Sequence, residues 1–254
     1  MQWHLSAAVG RGPADDLRAS AAPYTGWAGF NYDASLPREQ AKEVLLHCAR
    51  NDIRAVALAN LSPGLIDLYD EVDREIPLKG RRWVVGHIDS LTPRDIEKIV
   101  RMGLVVTPHA NRYIFKEGHL LQKKLPPDRH REITPMRDLI DRGVNVGLVT
   151  DNVPSSMFWP IWEVVARLDR VTKERVAPEQ ALTRAEALRC ATINNAYLTF
   201  DEGKKGSLEA GKLADLAVLS ADPLSVEEIA MRDVTALMTM VGGSVVHEKP
   251  NWAG

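Results

Sequence analysis

Trp83-Val-Val-Gly-His87, Thr92-Pro-Arg-Asp-Ile-Glu-Lys-Ile-Val-Arg101 and Leu104-Val-Val-Thr107 follow one another, the last two divided by Met102-Gly103. A short apolar run, an amphipathic stretch and a second apolar run read as strand, helix, strand. Thr92 is a natural N-cap, and Pro93 sits at the first helical position, where a missing N–H costs nothing. Gly103 supplies the C-cap. Strands alternating with helices at this spacing argue for a parallel sheet built from βαβ units.

Working outward, the same pattern continues on both sides. Upstream lie a helix from Pro37 to Asn51, with Ala41, Val44, Leu45 and Cys48 as its apolar stripe, a strand at Ile53–Ala59 and a helix from Gly64 to Ile76. Downstream, a long polar segment runs from Pro108 to about Glu132. A short helix, Thr134 to Arg142, is stopped by Gly143, and Val144–Thr150 reads as another strand. Thr183 to Tyr197 is helix-like. Residues 53–200 thus hold about four strand-helix units, half of an eight-unit TIM (β/α)8 barrel. Past Asp222 the period changes to that of strands. Asp233–Val241, Gly242-Gly243 and Ser244–Glu248 form a predicted hairpin, which joins Leu216–Leu219 in a small sheet. The expected organisation is α/β: an irregular segment at 1–34, a partial barrel at 35–205, and part of a small β-sandwich domain at 206–254.

The chain has 254 residues, 45% hydrophobic and 26% charged, which is ample for a core. A net charge of −2 offers no electrostatic case for nucleic acid or an anionic membrane. No apolar run reaches the length of a membrane span, and no signal peptide is evident. Cys48 and Cys190 sit in apolar helical stretches and read as buried free thiols, which suits a reducing, cytoplasmic setting.

In a barrel, functional side chains lie at the C-terminal ends of strands. Three positions meet that rule: His87 after Trp83–Gly86, His109 after Leu104–Thr107, and Asp151 after Val144–Thr150. A His and an Asp presented to one mouth suit a divalent metal, which activates water for hydrolysis. Asp151 also suits proton transfer from that water to a leaving amine. The plainer readings are a hydrogen-bonding His after a strand and a turn-forming Asp. The stretch Thr107–Gly118 is dense in polar and aromatic side chains. His109, Asn111, Tyr113 and Lys116, with Asn152 beside Asp151, are the candidate contacts to a small-molecule substrate; the alternative is a surface excursion packed on the barrel rim. Val153–Trp162 is apolar and aromatic, and is read as packing before pocket wall.

The run Gly206-Ser-Leu-Glu-Ala-Gly-Lys-Leu-Ala-Asp-Leu-Ala-Val-Leu-Ser-Ala-Asp-Pro223, after the helix-like Thr183–Tyr197, resembles the C-terminal signature of the amidohydrolase superfamily. The resemblance covers about Arg81 to Glu248 and points to members that hydrolyse N-substituted amides and formamides. It implies a (β/α)8 barrel beside a small β-domain. It also implies a divalent metal, with zinc the first expectation and iron or manganese equally compatible with one His and one Asp. Gly86-His87 resembles the strand-six motif and Thr150-Asp151 the strand-eight motif. By resemblance His87 is a metal ligand or polarises the carbonyl, and Asp151 is a metal ligand and proton shuttle. The family's His-x-His occurs nowhere in the 254 residues, no bridging lysine is assignable, and Leu58 and Ala59 stand where a fifth-strand His is expected.

Two expectations follow. In the first, the chain is the C-terminal part of a metal-dependent hydrolase of non-peptide C–N bonds, forming a homo-oligomer or pairing with a missing N-terminal half. In the second, it is a catalytically incomplete domain that pairs with itself or a partner through open strand edges.

Overall fold

The computed structural model of the chain describes residues 26–30, 37–59, 64–151 and 154–252. These fall into two compact units. One holds the described residues up to Pro108 together with Asp138–Val144; the other holds His109–Arg137 and the residues from Asn145 onward.

The first unit is built on a four-stranded parallel sheet of β1 (Gly26–Phe30), β2 (Ile53–Leu58), β3 (Val84–Gly86) and β4 (Val105–Thr107), in chain order. Its register runs Gly29↔Val56, Val56↔Val84 and Val84↔Val105. Parallel neighbours need a crossover, and helices α1 (Arg38–Arg50), α2 (Leu65–Glu75) and α3 (Pro93–Met102) supply one each. Their buried faces carry Ala41, Leu45 and Leu46, then Leu65, Leu68 and Val72, then Ile96, Ile99 and Met102. Tyr69 ties α2 to β3: its hydroxyl donates to the Val84 carbonyl at 3.3 Å, and its ring meets Trp83 edge-on at 5.2 Å. The ends of α3 are those the sequence predicts, with Gly103 left-handed at φ 63°. The Thr92 hydroxyl accepts from the Asp95 N–H, and Asp95 accepts in return from the Thr92 N–H.

β1 corrects the reading of 1–34 as irregular, because Gly26–Phe30 pairs in parallel with β2. The glycine-rich sequence hid it, glycine being a weak strand former. The rest of 1–34, apart from these five residues, lies outside the described residues.

In the second unit the segment after Pro108 is not a loop. It forms a π-helical turn (Asn111–Lys116), helix α4 (Gly118–Lys124) and a 3-10 turn (Pro127–Glu132). Tyr113, Ile114 and Leu121 are buried there, and that apolar face organises an otherwise polar stretch. Helix α5 (Met136–Asp141) follows along the chain, its residues from Asp138 onward counted with the first unit. The strand expected at Val144–Thr150 is an irregular segment with a single β-bridge at Val146, and three of its backbone groups bond to the helices that follow Thr183. Helix α6 (Phe158–Ala166) buries Ile161, Trp162 and Val164 as packing, while Met157, Phe158 and Ile161 line a cavity. The Arg232 guanidinium lies 5.4 and 5.2 Å from the Trp159 and Trp162 rings. The helix expected from Thr183 to Tyr197 is two helices, α7 (Arg184–Ala191) and α8 (Ile193–Leu198), broken at Thr192, whose φ, ψ of −120°, −93° are not helical.

The C-terminal strands β5 (Leu216–Leu219), β6 (Ala236–Val241) and β7 (Ser244–Glu248) form one antiparallel sheet in that order. The hairpin is as predicted: Val241 pairs Ser244 across Gly242 and Gly243, both at positive φ. Cys48 and Cys190 are buried free thiols, also as predicted. Among the described residues no helix is long and apolar enough to cross a membrane.

Candidate active site

His87 belongs to the first unit and follows the last residue of β3. Gly86 lies between β2 and β4, and a Cβ there would approach Leu58 Cδ2 to 2.8 Å and Thr107 Oγ1 to 3.1 Å. This close approach of three strands explains why a glycine precedes the histidine. The His87 N–H donates to the Thr107 carbonyl at 3.0 Å, extending the β3–β4 ladder by one bond. His87 then turns off the sheet at φ 52°, a left-handed conformation that non-glycine residues seldom adopt. β3 and β4 are parallel and in register, Gly86 opposite Thr107, so the chain leaves both at the same end. His87 is the first residue past β3, and Pro108-His109 are the first two past β4.

In the second unit His109 is buried, with 6% of its surface exposed, and its Nδ1 lies 3.1 Å from Asp151 Oδ2. The Tyr113 ring meets the imidazole edge-on, centroids 6.0 Å apart. Asp151 shares the left-handed backbone of His87, at φ 58°. Two strand-end residues picked out independently in the sequence, His109 and Asp151, are thus neighbours in space. Of the other candidates, Asn111 and Tyr113 are interior residues of the π-helical turn, 2% and 3% exposed. Lys116 ends that turn, half-buried, and its charge acts on the Glu163 carboxyl. Asn152 lies outside the described residues.

Residues 7–247 match the model of the amidohydrolase family.

The chain belongs to the amidohydrolase family.

The match reaches well upstream of Arg81, where the motif resemblance begins. Over 123 residues, 47% of this chain and 22% of the relative, this amidohydrolase is 36% identical to an N-substituted formamide deformylase of Arthrobacter pascens. Its fold is similar to that of a metal-dependent hydrolase of Pyrococcus horikoshii, at TM-score 0.63 and 18% identity, covering 76% of this chain and 39% of that one. It is also similar to a zinc-bound adenosine deaminase of Xanthomonas campestris, at TM-score 0.58 and 18% identity, covering 84% and 50%. The chain therefore spans at most half the length of these proteins.

Sequence reading missed a buried acid in this amidohydrolase. Glu163 stands in the apolar run Phe158–Ala166 and has no exposed surface. Neither carboxylate oxygen has a hydrogen-bond partner among the described residues. Burial pushes its pKa up to about 8, against the opposing pull of Lys116. The folded protein therefore holds this proton to higher pH than the unfolded chain does. Stability from this group is full below the unfolded value of 4.5 and declines as pH rises toward about 8. The expected slope is about 1.4 kcal/mol per pH unit within that window. Glu163→Gln is expected to abolish this slope and to raise the melting temperature at pH 8 while changing little at pH 4.5. Melting curves across that range test it; a Gln variant that keeps the wild-type slope contradicts it. The one sequence signal was a lone acid in a helix that is otherwise apolar.

Proposed function

We propose that this chain carries part of the active centre of a metal-dependent hydrolase acting on non-peptide C–N bonds, with N-substituted formamides and amides as the substrate class. The observation that carries this reading is the His109–Asp151 pair, a buried imidazole 3.1 Å from a carboxylate at a family strand-end position. The similarity to a formamide deformylase supports the substrate class. In this reading the fold is the C-terminal part of a (β/α)8 barrel, residues 35–205, with a piece of a small β-domain at 206–254, in a cytoplasmic enzyme that pairs with itself or with a complementary N-terminal part.

His109 and Asp151 would contribute to holding the cation. An imidazole and a carboxylate are donor types of a catalytic zinc site, which takes three protein ligands. His109 thus moves from the expected substrate contacts to the ligand set. A bound divalent cation supplies Lewis-acid activation of water and of the scissile carbonyl. Asp151 accepts the proton that the attacking water gives up. It returns that proton to the leaving nitrogen as the C–N bond breaks, so that water is divided between a carboxylic acid and an amine.

Elemental analysis of the purified chain is the direct test. About one tightly bound divalent metal per chain is expected, with the metal lost in His109→Ala. A chain that takes up no metal from zinc- or cobalt-supplemented buffer overturns the reading for this polypeptide.

A further inference from the structure

The segment 144–150 leads into Asp151 and forms no named strand, with a single β-bridge at Val146. Three of its backbone groups bond to the α7–α8 corner. The Leu148 N–H donates to the Cys190 carbonyl at 3.1 Å, one of the last-turn carbonyls of α7 that lack a partner within that helix. The Val146 carbonyl accepts from Asn194 Nδ2 at 3.0 Å, and the Leu148 carbonyl accepts from Asn195 Nδ2 at 2.9 Å. Two side-chain amides and one helix carbonyl thus brace the backbone of 146–148. The break at Thr192 places both asparagines in the first turn of α8.

The fit is close. A Cβ on Gly147 would lie 2.4 Å from Asn195 Oδ1, so the amide packs directly on the glycine backbone. Three residues past Leu148, Asp151 sits at φ 58° with its Oδ2 toward His109. A left-handed non-glycine residue persists only where its surroundings over-determine it.

We infer that Asn195, seconded by Asn194, is a positioning residue for Asp151: the α8 amides fix the register of 146–148 and thereby hold the Asp151 carboxylate against His109. The role rests on the proposed part of Asp151 in the metal centre. Neither asparagine touches Asp151 in these hydrogen bonds, and each acts through the backbone of Val146 or Leu148.

The experiment uses the 254-residue chain at one fixed pH, with two readouts: the His109 ring 15N signals of the metal-free protein, and cobalt(II) affinity from its visible absorption. Asp151→Asn marks the signature of a lost carboxylate. Asn195→Ala is expected to move the His109 signals in the same direction and to weaken cobalt binding about 10–100-fold, the range for lost support of a ligand. Asn194→Ala, which removes the bond to Val146 and a longer one to Cys190 Sγ, is expected to act in the same sense but less, and serves if Asn195→Ala does not fold. Thr183→Ala removes the N-cap of α7 without touching 146–148 and controls for general loosening; it is expected to leave both readouts at wild type.

Wild-type His109 signals and wild-type cobalt affinity in both asparagine variants overturn the inference while the metal reading stands. Equal changes in Thr183→Ala overturn it as well. If Asp151→Asn binds cobalt as wild type does, the metal reading falls, and the His109 signals of Asn195→Ala alone decide whether the amide positions the carboxylate.

Discussion

Asp151→Asn is expected to lower hydrolysis by about 10²–10⁴-fold in any assembly of this protein that is active, the range for loss of a positioned acid–base group. The substitution removes the carboxylate, as ligand and as base, while keeping its shape. Asn has the shape of Asp and is, with Asp, among the few non-glycine residues that tolerate a left-handed backbone, so φ 58° is kept. It also retains an oxygen and gains a donor to face His109 Nδ1 at 3.1 Å. What disappears is the negative charge and the ability to accept a proton from water. The folded protein is expected to be as stable as wild type to within about 0.5 kcal/mol, as for other substitutions that create neither cavity nor buried charge. Amine release from an N-substituted formamide by the metal-loaded protein, with a melting curve alongside, measures both. Wild-type turnover in Asp151→Asn would remove Asp151 from the mechanism.

Arg167→Met is expected to be the most damaging single change to stability, costing about 3–5 kcal/mol. Arg167 follows α6, is fully buried, and takes a left-handed backbone at φ 50°. Its Nε donates to the Val176 carbonyl at 2.6 Å, and its two terminal nitrogens donate to Thr134 at 3.1 Å and Ile133 at 2.8 Å. One planar guanidinium therefore satisfies three carbonyls from two separate stretches of chain. Burial pulls its pKa down to about 9, so it remains charged at neutral pH. Methionine fills much of the space but leaves those three acceptors without their donor. Arg167→Lys keeps the charge and is expected to recover only part of the loss, since one ammonium does not reproduce the planar fork. Denaturant melts of the three proteins decide it; a Met variant within 1 kcal/mol of wild type would show that the carbonyls find other donors, because an unmet buried group alone costs about 1–3 kcal/mol.

These two residues mark what was legible. Asp151 was visible because strand ends carry function in βα folds, and the rule needs only a strand and the residue after it. The same rule found His87 and His109. Arg167 was invisible: its partners lie 9, 33 and 34 residues away along the chain, and no local pattern encodes them. Lys116 and Glu163 show the same limit. Each was readable as a charge, but that Glu163 is buried and feels Lys116 depends on how α6 packs.

The sequence by itself determined the alternation of β2, α2, β3, α3 and β4, the caps of α3 and the C-terminal hairpin, because apolar period, capping residues and turn glycines are local signals. It also carried the family signature in its tail. Tertiary structure decided that 146–148 bonds to α7 and α8. It decided that 111–116 winds into a π-helical turn, that Gly26–Phe30 joins the sheet, and that His109 faces Asp151. Each of these depends on which distant group is available to meet a backbone donor, an acceptor or an apolar face, and that is settled only when the chain folds back on itself.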